Sequence, residues 1–292
     1  MKNIIKVFAY LLLGISLLLL FFSLNFINKW NKQNNQISKQ LDEINDLVKI
    51  EKVEDNENTI VKDESSTLKN TNLNNVDFSE LKNKNSDVVG WIDVKGTNIN
   101  YPFVQYTDNN FYLTHSFDKK YNDAGWLFED YRNDGFNDKN TIIYAHSRLD
   151  KTMFGSLKNT LKQEWINDKE NYIIRISTEE ENTLWEVFSI YHIPTTDDYL
   201  KIKFTSDNEF ENYIKMVKNR SIYKFDTDVL DNDKILTLST CYRNNEKLVL
   251  HAKLIKLEKN NLRVIFCLFQ IWWTWGESNS CPKMHTRKLL QV

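Results

Sequence analysis

The sequence predicts a mainly β fold with helices, a closed or nearly closed β-barrel standing behind an N-terminal transmembrane helix and a polar stalk. Three observations predict it. An apolar run led by lysines opens the chain, a stretch rich in Asn, Lys, Glu and Asp follows, and from Phe78 short β-branched and aromatic runs alternate with turn signals. At 292 residues the chain can build one or two domains with a real core. A formal net charge of −2 and a pI near 6.3 give no reason to expect a nucleic-acid partner.

Ile4 to Ile27 is interrupted only by Lys6, Ser16, Ser23 and Asn25, and its central run from Val7 to Leu24 is about 18 residues, the minimum for a spanning helix. A cleaved signal peptide is the rival reading. The run exceeds the usual apolar core of such a peptide, however, and Asn25-Phe26-Ile27-Asn28-Lys29-Trp30 offers no small-x-small cleavage site. The expectation is an uncleaved signal anchor over 4–27, single-pass, with the large domain outside the cell membrane. Residues 28–77 read as a polar stalk, helical and then disordered, that holds the domain away from the bilayer. Within it Ile37, Leu41, Ile44 and Val48 recur at 4-3-4 spacing, a helical stripe too short to argue for a coiled coil. Partner binding by this stripe is the lesser alternative.

The domain is expected over 78–258. Phe78 to Lys82 reads as a short helix, Val88 to Val94 as a strand closed by Lys95-Gly96, and Asn98 to Gln105 as a second strand in which Pro102 points to an edge or a bulge. Further strands are expected at Thr141–Ala145, Ile173–Ser177, Trp185–Tyr191, Lys234–Thr240 and Leu248–Lys256. Helical segments are expected at Met153–Leu161 and Asp207–Arg220, where Phe210, Tyr213, Ile214 and Val217 form one face. Residues 259–292 form an atypical tail, in which Val264 to Trp275 is too short for an ordinary span. It reads as a read-through or frame error in the coding sequence, or as a membrane-interface segment rich in Trp.

The chemistry converges on Thr237-Leu238-Ser239-Thr240-Cys241-Tyr242-Arg243, where an aliphatic run ends at a cysteine and Leu248-Val249-Leu250 begins a neighbouring one. That arrangement holds a thiol at a strand end, close to solvent on a rigid frame. The bland reading is a buried free cysteine. Against it stand two cations, Arg243 and Lys247, and an upstream histidine, His146, because a thiolate at neutral pH needs neighbouring positive charge or an imidazole. The three cysteines, 241, 267 and 281, have neither metal-ligand spacing nor the even count of a disulfide scaffold, and Cys267 and Cys281 are given no catalytic part. No metal and no cofactor is expected. His115, His192 and His251 read as surface or satisfied core histidines, and Tyr144 and Trp126 as core.

Six ordered segments now identify a resemblance. Asp87-Val88-Val89-Gly90-Trp91-Ile92, the run Gly96 to Gln105, Asp108 to Leu113, Gly125-Trp126-Leu127-Phe128-Glu129-Asp130, Ile143-Tyr144-Ala145-His146 with Met153-Phe154-Gly155-Ser156-Leu157, and Leu238-Ser239-Thr240-Cys241 resemble the sortases, class B most closely. The resemblance covers about Phe78 to Leu257, and Asp207–Arg220 matches a long helix of that class. It implies a closed barrel and a membrane-anchored cysteine transpeptidase of the Gram-positive cell surface. Secreted proteins would be cleaved at a C-terminal sorting motif, Asn-Pro-x-Thr-like in this class, and joined to a peptidoglycan precursor or cross-bridge amine. Cys241 would form the thioester and His146 would move the protons. Asn109 and Leu113 match groove positions, and Ser239 and Thr240 match strand-end residues that could donate to substrate.

One position departs from the pattern. The family's arginine before the last apolar run is Lys247 here, leaving Arg243 as the nearby guanidinium, and the reading leans to Arg243 as the oxyanion cation with Lys247 as the alternative. That departure keeps two other readings open, a non-catalytic or weakly active anchored binding module on the same barrel, and a plain cysteine peptidase.

Overall fold

The computed structural model describes residues 2–48, 50–53, 73–243 and 245–259. In chain order the elements are α1 (Lys2–Leu47), β1 (Ile50–Val53), β2 (Leu73–Val76), α2 (Ser79–Lys84), β3 (Val88–Val94), β4 (Asn100–Gln105), β5 (Phe128–Glu129), β6 (Asn140–Tyr144), α3 (Gln163–Ile166), β7 (Ile173–Ser177), β8 (Glu181–Pro194), α4 (Asp207–Arg220), β9 (Ile235–Cys241) and β10 (Glu246–Lys259). Among them β10-β8-β7-β3-β4-β5-β6-β9 close into a barrel, and β1 and β2 form a separate antiparallel pair. The pairs β4–β5 and β6–β9 are parallel, whereas β3–β4, β5–β6 and β9–β10 are antiparallel. Closure leaves no free sheet edge. Trp91, Phe103, Trp126, Phe154 and Trp185 are fully buried in the core.

α4 follows from its sequence. Ser206 caps the helix by accepting from the backbone N–H of Glu209 at 3.3 Å, Asp207 and Glu209 sit in the first turn, and Lys218 and Arg220 lie in the last, complementing the dipole. Its expected apolar face, Phe210, Tyr213, Ile214 and Val217, is buried against Phe188, Tyr191, Ile235 and Val249 of the barrel. The outer surface of β9 is therefore covered, and all its residues except Cys241 are buried.

Several local expectations change. Pro102 is not on an outer edge strand, since β4 lies between β3 and β5; Pro102 pairs with Trp91, while the β5 ladder covers only Val104 and Gln105. The residue is tolerated because β4 has one strand neighbour at that point. The helix expected at Met153–Leu161 is a 3₁₀ segment over Gly155–Leu161, and Met153 has φ of 51°, outside the helical range. The two-residue strand β5 has too few residues to show a period.

α1 changes the account of the stalk. It runs unbroken from Lys2 to Leu47, so the apolar run continues as helix into the polar stretch. From Ile4 to Ile27 every large apolar side chain is exposed, as in a helix that is hydrophobic all round. By length and composition this is one candidate membrane span. The stripe then turns inward: Ile37 and Ile44 are 1% exposed and join the core with Val48, and Leu41 packs beside them. Burying such side chains contributes roughly 1.5–3 kcal/mol each, several times an exposed ion pair, so this half of the helix docks on the domain. Residues 54–72 of the expected stalk lie outside the described residues, as do Cys267, Cys281 and all of the tail after Lys259.

Candidate active site

The strand register places the site. β9 runs between β6 and β10, and the parallel β6–β9 ladder ends with Tyr144 opposite Ser239. His146 comes two residues after Tyr144, just past the end of β6, and Cys241 two residues after Ser239, at the end of β9. Thr240 ties the strand ends together, its hydroxyl donating to the Ala145 carbonyl at 2.7 Å. On the other side Lys247 of β10 is the direct antiparallel partner of Cys241. Its Nζ lies 3.3 Å from Sγ, within donating distance of the sulfur. Cys241 is exposed.

His146 is half-buried and held from two sides. Its Nε2 is 2.8 Å from the carbonyl oxygen of Leu113. A carbonyl can only accept, so the proton sits on Nε2 and Nδ1 is the nitrogen left for proton transfer. Behind the ring is Gly125, with φ of 61°; a Cβ there would lie 2.5 Å from Tyr112 O, 2.9 Å from Leu113 O and 3.1 Å from His146 Cδ2. The loop after the histidine is closed by a bond from Phe154 N to His146 O at 3.0 Å and by a bridge between Ser147 and Met153.

The other expected residues fare differently. Arg243 is exposed, and its guanidinium lies over the Tyr242 ring at 5.0 Å while its carbonyl accepts from Glu246 N in the β9–β10 turn. Of the two candidate cations for the oxyanion, the antiparallel register brings Lys247, not Arg243, to Sγ. Ser239 and Thr240 are buried, and their hydroxyls are engaged, Ser239 with the Tyr199 hydroxyl at 3.0 Å and Thr240 with Ala145. Asn109 spends its Oδ1 on the backbone N–H of Tyr131 at 3.0 Å. Leu113 reaches the site through its carbonyl, and its half-buried side chain packs on the core.

His251 is a satisfied core histidine, between Tyr191 OH at 3.0 Å and Thr237 Oγ1 at 2.9 Å, and burial with Arg220 nearby pushes it down to about 3. Tyr144 donates to Asp130 at 2.9 Å and Trp126 is fully buried. Among the described residues no cluster of His, Cys, Asp and Glu could hold a metal ion. Gly125 and the Leu113 carbonyl are what the sequence reading missed at the site. A scarce glycine just before an apolar run, with only seven in the chain, is the one signal it carried.

Comparison with known proteins gives one family. The sortase domain model matches residues 92–255. Sortase B of Listeria monocytogenes is 35% identical over 175 residues, covering 58% of this chain and 70% of that protein, and sortase B of Staphylococcus aureus is 35% identical with 58% and 71% covered. Among solved structures, Bacillus anthracis sortase B in complex with AAEK1 has a TM-score of 0.62 at 33% identity, covering 77% of this chain and 98% of that one. A Staphylococcus aureus sortase B–substrate complex has a TM-score of 0.57 at 35% identity, covering 61% and 84%, and a sortase B complexed with triglycine has 0.58 at 35%, covering 61% and 85%.

Proposed function

Because the chain belongs to the sortase family, class B, and is a cysteine transpeptidase of that type, we propose that it cleaves secreted proteins at a C-terminal sorting motif and transfers them to a cell-wall amine while anchored by α1. The observation that supports this is the strand register, in which the β6–β9 ladder ends two residues before His146 and Cys241, and Lys247 pairs with Cys241 with its Nζ 3.3 Å from Sγ. Nδ1 of His146 first takes the thiol proton of Cys241, giving a thiolate and an imidazolium; the thiolate then attacks the scissile carbonyl carbon, and the electron pair moves onto the carbonyl oxygen. As the tetrahedral adduct collapses, the C–N bond breaks, and the departing amine takes a proton from Nδ1 of His146, leaving a thioester. The incoming amine then attacks the thioester and gives its proton to Nδ1, and Cys241 leaves as thiolate. Through both halves Nε2–H stays on Leu113 O, which keeps the imidazole in one tautomer and orientation.

Lys247 is the counter-charge of the thiolate and the nearest donor for the oxyanion, a point charge with three N–H groups rather than a planar fork. The sortase B complexes with a substrate and with triglycine support a peptide donor and an amine acceptor for this chain. The anchor reading rests on the apolar, exposed run of α1. Incubation with a library of C-terminal sorting peptides and an oligoglycine or diaminopimelate-type amine tests the function. Transfer product that vanishes in Cys241→Ala and nearly vanishes in His146→Ala is the expected result. Amine-independent hydrolysis as the only reaction would favour a plain peptidase.

A further inference from the structure

Past its apolar run, α1 lies along both stretches of chain that fix His146. One is the loop after the histidine. Arg148, its side chain only 12% exposed, donates to Asn34 Oδ1 of α1, to Thr152 Oγ1 at 3.0 Å and to Asp150 at 3.0 Å. Asp150 in turn accepts from Thr152 N at 3.0 Å, so the turn that closes on His146 is built around this guanidinium.

The other stretch is Tyr112 to Trp126, which offers the imidazole the Leu113 carbonyl and the Gly125 backbone. There Asp123 takes Lys29 Nζ at 2.9 Å and Gln33 Nε2 at 3.1 Å, and Phe117 N donates to Gln40 Oε1 at 3.3 Å. Asn122 connects the helix to the glycine: its Nδ2 donates to Gln33 O at 3.4 Å, and its carbonyl accepts from Gly125 N at 3.0 Å. Ile37, fully buried, fixes the helix between these polar contacts.

We propose that the face of α1 carrying Lys29, Gln33, Asn34, Ile37 and Gln40 is a positioning element for His146, holding from one helix the two loops between which the imidazole is set. The proposal rests on the reading of His146 as the proton-transfer group. Single exposed contacts such as Lys29–Asp123 are weak in themselves. Their effect is geometric, since a reacting group displaced by about 1 Å costs on the order of 100-fold in rate. The continuation of the membrane helix thus carries part of the catalytic geometry, which a domain cut at Phe78 would lack.

The test uses the full chain in lipid nanodiscs, with Asn34→Ala and Asp123→Ala combined, Gln36→Ala on the exposed side of α1 as a control, and Asn34→Asp as the conservative variant. The double variant is expected to lose about tenfold or more in kcat with KM within about twofold. The His146 Nε2 proton, followed by NMR in its bond to Leu113 O, should exchange faster. Gln36→Ala should match the parent, and Asn34→Asp, which keeps an acceptor for Arg148, should retain parental kcat. Parental kcat and unchanged proton exchange in the double variant, with His146→Ala inactive, would overturn the proposal. Loss of activity only in proportion to lost folded protein would overturn it equally. Parental turnover by His146→Ala would instead remove the premise.

Discussion

At the scale of single residues, position separates the two candidate cations. Lys247 lies 3.3 Å from Sγ, whereas Arg243 is drawn over Tyr242. Lys247→Ala is therefore expected to lower turnover by roughly 100-fold, the scale of losing one preorganised donor, and Arg243→Ala by much less. Lys247→Arg should keep most of the activity, because the guanidinium reaches the same oxygen with a second donor. Turnover of the three variants on one peptide checks this, and the reverse ranking would return the role to Arg243. A second residue-scale prediction concerns Glu129, which is buried with Oε1 unpartnered. Burial, then the carboxylates of Asp138, Asp130 and Asp134, push it up to about 8 from an ordinary 4.5. The folded state thus keeps a proton that the unfolded chain releases, so this group's stabilising contribution is full below 4.5 and is lost as pH rises through about 8. Glu129→Gln should raise Tm at about pH 9 and change it little at about pH 4, as thermal melts at both pH values would show.

At the scale of elements, the site depends on how the Tyr112–Trp126 segment backs onto the end of β6. Gly125→Ala places a methyl against Leu113 O and His146 Cδ2 in a left-handed backbone conformation. It is expected to lower kcat by about tenfold or more while KM changes little, and a full kinetic comparison with the parent checks it. Regular elements were legible in the sequence where their period is long. α4 matches its expected bounds because a cap, charged ends and one apolar face agree, and β3 and β7 match because alternation and turn signals bound them. Cys241 and His146 were legible as residues, and the parallel register of β6 and β9 places each two residues past the end of that ladder. What the sequence could not display is pairing. The partner of Cys241 across β9–β10, the hydroxyl bonds that engage Ser239 and Thr240, and the carbonyl that orients His146 are non-local contacts with no local pattern. The stripe on α1 was visible as a period, but a period does not say what covers it.

At the scale of the whole molecule, α1 joins the candidate membrane span to the domain in one helix. Asn34 is seven residues past Ile27, about 10 Å along a helix, so an anchor over 4–27, as proposed, would hold the loop carrying His146 near the bilayer surface. The full-length chain is expected in the membrane fraction at its full mass, with protease digesting the domain on wall-less cells. A fluorophore at Leu149, which is 88% exposed in that loop, should be quenched by acceptors in the lipid headgroups. A shortened, soluble product or an unquenched label would contradict the arrangement. The central claim, that this molecule transfers an acyl group through its one described thiol, is tested most directly by intact mass spectrometry of the full chain incubated with a cleavable sorting peptide and no amine. The account predicts an added acyl mass, mapped to the peptide containing Cys241, sensitive to hydroxylamine and discharged when the acceptor amine is added. Cleavage of the peptide with Cys241 never modified, or at the parental rate in Cys241→Ala, would contradict it.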